Sequence, residues 1–159
     1  MPKDTPSMAK NKIKRSLSAI CDPHPSPTEE KELWEYFNSS CAYCGTQLER
    51  KSRMGHLDHL IPSTEGGRND IHNHALSCAS CNGDEKREEA WLSFLKKKLP
   101  TDEAVFQERK SMIDHWISLA PTNENPLDFV NKKNEIIQGA IGDFERSVEE
   151  MRELRANGT

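Results

Sequence analysis

The sequence of 159 residues predicts an α+β fold: a small core of two short strands and a helix, held by a metal ion and flanked by further helices. Three observations predict it. Two Cys-x-x-Cys pairs, Cys41/Cys44 and Cys78/Cys81, bracket one block of the chain. Between them lie two short extended segments, around 54–61 and 74–77, separated by a loop that carries Pro62 and Gly66-Gly67. Long stretches on either side space their apolar residues at helical intervals.

Composition explains why such a core would need a metal. Only 34% of residues are hydrophobic and 30% are charged, and small, lean domains commonly depend on disulfides, metals or oligomerisation. No apolar run is long enough to span a membrane, and none follows the N-terminal basic residues as a signal peptide would. A soluble, cytoplasmic protein is therefore expected, and there Cys-x-x-Cys reads as metal-binding or redox-active before it reads as a disulfide. Residues 1–100 carry 15 Lys+Arg against 14 Asp+Glu, a net of +1, and residues 101–159 carry 7 against 12, a net of −5. An overall charge of −4 argues against binding nucleic acid by charge alone.

The elements follow in order. Residues 1–27 hold five prolines and few apolar side chains, which predicts a flexible arm without a core of its own. Its cluster Lys10, Lys12, Lys14 and Arg15 reads as a solvated tail or as an arm tracking DNA phosphates. Thr28-Glu-Glu is expected to cap a helix reaching about Asn38, with Leu33, Trp34 and Phe37 on its apolar face. After the strands, one helix should run from Asn82 to about Leu99, with Trp91, Phe94 and Leu95 inward. Further helices are expected over about 102–120 and 127–155. The resulting division is an arm (1–27), a metal-bearing domain (28–100) and a helical C-terminal extension (101–159). In the last helix Val130, Ile137, Phe144 and Met151 recur every seven residues. Such a stripe calls for a cover, either a second copy of the chain or its own 102–120 helix.

Tetrahedral zinc wants four thiolate or imidazole ligands, and a two-residue gap lets both sulfurs of a pair reach one ion. Cys41, Cys44, Cys78 and Cys81 meet that requirement, and with four protein ligands the site would be closed and structural. A redox protein using these pairs is the competing reading.

Within the block stand Asp58-His59, Asn73 and Asn82. Histidine, whose ordinary pKa is ~6.5, can take a proton from water at physiological pH. Magnesium favours a sparse set of oxygen ligands plus substrate phosphate, and Asp58 with the Asn82 amide could supply such a set. Strand alternation points Asp58 and His59 to opposite sides. Cys pair, Asp58-His59, Gly66-Gly67, Asn73 and Cys78-x-x-Cys81-Asn82 together resemble the zinc-bearing HNH endonucleases over roughly residues 41–86.

That resemblance implies a ββα-metal fold (His-Me finger) that hydrolyses DNA phosphodiesters with one divalent cation, Mg2+ or Mn2+, leaving 5′-phosphate and 3′-hydroxyl ends. It implies His59 as general base, Asn73 as the residue orienting it, and Asp58 and Asn82 as catalytic metal ligands. His74 stands where the pattern usually has an aliphatic residue. Lys86, one helical turn after Asn82, is a candidate phosphate contact, with Arg53, Arg68 and Arg87 as weaker ones. The rival reading is a non-catalytic zinc module that binds nucleic acid.

Overall fold

Helix α1 (Pro6–Cys21) is followed by α2 (Pro27–Tyr36), strands β1 (Gly55–His59) and β2 (His74–Cys78), and helices α3 (Trp91–Lys98), α4 (Glu103–Ser118) and α5 (Leu127–Asn157). The computed structural model describes residues 4–62, 65–87, 89–121 and 127–158. The chain forms two units, one of residues 24–121 and one of residues 1–23 with 122–159. These limits differ from the expected boundaries after residues 27 and 100.

In the unit 24–121, the cap of α2 lies two residues earlier than expected. Ser26 Oγ accepts from the Glu29 amide, and the Glu29 carboxylate accepts from the Ser26 amide at 2.7 Å. This reciprocal capping box, with Pro27 in the first turn, makes Ser26 the cap instead of Thr28. Leu33 and Trp34 then point inward, joined by Phe37 just past the helix end.

Strands β1 and β2 pair antiparallel, with Gly55 opposite Cys78, Asp58 opposite Ala75 and His59 opposite His74. Gly55 is required by its neighbour: a Cβ there would run into the Trp34 ring. The two strands and the helical turn after them form the ββα core of an α+β ββα-metal fold.

That turn departs from the expected single helix over 82–99. Ser80–Lys86 is a π-helical turn, broken at Arg87, whose φ is +50°. Helix α3 restarts at Trp91, whose amide donates to the Leu60 carbonyl. Phe94 and Leu95 of α3 are buried as expected, while Trp91 is only half-buried.

Helix α4, capped by Asp102, buries Phe106, Ile113 and Trp116. It also bonds to the strand region. Trp116 Nε1 donates to the carbonyl oxygens of His74 at 2.9 Å and Ile71 at 3.3 Å. Tyr36 Oη donates to the Met112 carbonyl at 2.8 Å.

In the other unit α1 packs along α5. The segment expected as a coreless arm is largely helical here. Pro6–Cys21 is helical because Thr5 caps it and α5 supplies the apolar surface that the arm lacks. Ile13 and Leu17 of α1 are half-buried; on α5 Ile137 and Ile141 are buried and Val130, Phe144 and Val148 half-buried. Lys10 and Glu145 add an ion pair at 2.6 Å. Most of the stripe is thus covered beside α1, a helix that the sequence had not offered as its cover, while Met151 at its end is exposed. Among the described residues no helix is long and apolar enough to cross a membrane.

Gly55→Val should lower unfolding stability by about 1–3 kcal/mol, the usual cost of forcing bulk into a packed core. Chemical denaturation of the metal-loaded protein measures it.

Candidate metal centre and active site

The four cysteines of the two knuckles converge, their sulfurs lying within 4.8 Å of one another. Cys44 Sγ and Cys78 Sγ are 3.8 Å apart, and a tetrahedral ion with bonds of ~2.3 Å would hold its sulfurs about 3.8 Å apart. The knuckles have the local chemistry to bind an ion. Gly45, with φ of +76°, closes the first turn as its amide donates to the Cys41 carbonyl, and the Cys81 amide points at Cys78 Sγ. Cys41 is pulled down to about 4, chiefly by a hydrogen bond from Cys81, whose own thiol is pushed up by the same contact. Residues 41, 44, 78 and 81 can hold one metal ion.

Helix α4 reaches this centre. Arg109 Nη1 donates to the carbonyl oxygens of Cys41 at 3.2 Å and Ala42 at 3.4 Å. A Cβ at Gly45 would run into the same guanidinium, so the glycine also makes room for it.

At the far end of β1, Asp58 and His59 face opposite ways, as strand alternation requires. Asp58 is 3% exposed. Tyr43 Oη donates to its Oδ2 at 2.6 Å, and Lys86 Nζ lies 3.1 Å from Oδ2 and 3.3 Å from Oδ1. Burial raises the Asp58 pKa, and the Tyr43 hydrogen bond and the Lys86 charge work against that rise. Tyr43 itself is held well above the ordinary phenol value, first by burial and then by the Asp58 charge, so it remains a donor.

His59 is half-buried, and its Nε2 lies 3.1 Å from Asn69 Oδ1. A carboxamide oxygen only accepts, so Nε2 carries the proton and Nδ1 keeps its lone pair. The His74 ring stands 4.2 Å away, centre to centre. His74 is buried, its Nδ1 donates to the Asp70 carbonyl at 2.9 Å, and burial, then the His59 charge, hold its pKa down at about 4. It packs beside His59 as a neutral aromatic ring, which is how the second strand accommodates a polar residue there.

Asn73 has a different partner from the one expected. Its Oδ1 accepts from the Ile61 amide, and its Nδ2 donates to the carbonyls of Ile61 and Arg68. It ties the loop after β1 together, and Asn69 touches the His59 ring in its place. Gly67 lies against that tie, where a Cβ would strike the Ile61 carbonyl.

Residues 41–88 match the model of the HNH endonuclease family. The matched segment spans both cysteine pairs and both strands. Among curated proteins none matches the chain.

Within the matched segment several candidate residues stand apart from their expected roles. Lys86, expected on the surface as a phosphate contact, is buried and paired with Asp58, because the π-helical turn ends with its side chain directed into the core. The expected magnesium site does not form in this arrangement. Asn82 is half-buried on the same turn, but both Asp58 oxygens are already engaged, so the residues do not fit a divalent ion here. Arg53, Arg68 and Arg87 are exposed, as surface contacts would be. Sequence reasoning missed Asn69, Tyr43 and Arg109. Tyr43, a large residue inside a Cys-x-x-Cys turn, was the one legible signal.

Because His74 is held neutral in the fold but would protonate near ~6.5 when unfolded, the unfolded state binds more protons between about pH 4 and 6.5. Its stabilising contribution is therefore complete above pH 6.5 and lost on acidification toward pH 4, at most about 3 kcal/mol. His74→Leu should flatten the pH dependence of the unfolding midpoint across that window.

Proposed function

We propose that this protein is an endonuclease that hydrolyses DNA phosphodiester bonds, with His59 as the general base. The observation that carries the reading is the state of the His59 ring within an HNH domain. Asn69 Oδ1 accepts a hydrogen bond from the His59 Nε2–H, Nδ1 holds the lone pair, and the ring is only half-buried at the strand end.

In the reaction, His59 Nδ1 removes a proton from a water molecule as its oxygen bonds to phosphorus. The bond to the 3′ oxygen breaks, and that leaving alkoxide takes a proton from solvent, giving 5′-phosphate and 3′-hydroxyl ends. Asn73 acts as a positioning residue, fixing the loop that carries Asn69. Arg53, Arg68 and Arg87 are the exposed candidates for DNA phosphate contacts. Cys41, Cys44, Cys78 and Cys81 hold structural zinc, since the soft tetrahedral set suits zinc and leaves no open position.

One observation favours a second reading, a zinc-stabilised module that binds nucleic acid without cutting it: the paired, buried Asp58. The two readings part in one assay. Supercoiled plasmid should be nicked or linearised by the wild type under some divalent-ion condition, and His59→Ala should abolish cleavage while DNA binding and metal content persist. Absence of cleavage by folded wild type under Mg2+, Mn2+ and metal-free conditions would favour the binding module.

Elemental analysis of protein purified without chelator should find one zinc per chain. Cys78→Ser should lose it, together with much of the fold, because structural metal binding is folding free energy.

A further inference from the structure

An ammonium occupies the carboxylate where the HNH resemblance would put a divalent cation. Lys86 Nζ has three N–H donors, and three acceptors surround it: Asp58 Oδ2 at 3.1 Å, Asp58 Oδ1 at 3.3 Å and the His59 carbonyl at 2.8 Å. Tyr43 Oη closes on Oδ2 at 2.6 Å. The Lys86 and Asp58 side chains are 0% and 4% exposed. Magnesium and manganese bind oxygen ligands at short range and keep several waters, and this pocket of buried, mutually satisfied groups has no place for such a shell. Charge points the same way. Asp58 with Lys86 is neutral, whereas a dication added beside them would leave two uncompensated charges in the protein interior.

The backbone is arranged to hold the lysine inside. Lys86 ends the π-helical turn Ser80–Lys86, and the next residue, Arg87, has a positive φ that a side chain rarely adopts. Such strain persists only where the surrounding structure enforces it, and here it lets the chain turn away while Lys86 stays buried.

We propose that Lys86 and a divalent cation are mutually exclusive occupants of the Asp58 carboxylate, and that the protein free of nucleic acid keeps the lysine. Lys86 is thus the internal competitor of the metal. The inference rests on the site assignment made above, but it is read by metal binding alone, so it and the cleavage reading fail separately.

The probe is Mn2+, titrated into the zinc-loaded full chain without nucleic acid and followed by electron paramagnetic resonance. Lys86→Gln keeps a donor for the His59 carbonyl and removes the charge. It should bind Mn2+ at least about tenfold more tightly than wild type, within the usual range of coupling between competing ligands. The double variant Lys86→Gln/Asp58→Asn should lose that gain. Equal Mn2+ affinity in wild type and folded Lys86→Gln would overturn the proposal, as would a gain that survives Asp58→Asn. Should Lys86→Gln fail to fold, Lys86→Met, which keeps the buried stem and removes the ammonium, takes its place with the same two outcomes.

Discussion

The ladder between β1 and β2 is only five residues long, yet both chemical centres hang from its ends. Gly55 pairs with Cys78 at one end and His59 with His74 at the other. Four residue steps of ~3.4 Å separate them, so the cysteine cluster and the histidine pair lie roughly 14 Å apart along one short ribbon. A two-stranded ribbon is marginal by itself in water. This one depends on what is clamped to it: Trp34 over Gly55, the cysteines at Cys78, and Trp116 at the His74 carbonyl. A slip of one residue would turn Asp58 outward and bring His59 into the core, reversing both roles.

Most of the ribbon was legible in the sequence because its parts are local. Cysteine spacing, the two glycines and strand alternation each act over a few residues, and they led to the metal centre, the strands and the opposed faces of Asp58 and His59. The helices at 103–118 and 127–157 were legible for the same reason, from their apolar spacing. The helix over residues 6–21 was not legible because its few apolar side chains gain meaning only when α5 lies beside them. A composition-based argument sees the cost of ordering such a segment but not a surface more than a hundred residues away.

The site was harder to read for a related reason. Lys86 follows Asn82 by four residues, which on a surface helix would leave its charge in solvent. Its burial depends on a wider turn, on Asp58 across the ribbon and on Tyr43 in the knuckle. The swap of Asn69 for Asn73 beside His59 arises similarly, since a loop's fold decides which amide reaches a ring. Tyr43 links the two centres, because it lies between Cys41 and Cys44 while its hydroxyl binds Asp58. Disturbing the metal knuckle therefore disturbs the charge network at the other centre.

The bonds from α4 have a consequence for how the matched segment can be handled as a part. The family match stops at residue 88, but Arg109 grips the first cysteine turn and Trp116 grips the second strand from outside that limit. A transplant cut at the motif's edges would leave backbone carbonyls and an aromatic face bare. The compact unit that includes these bonds is 24–121, with α4 as its built-in brace.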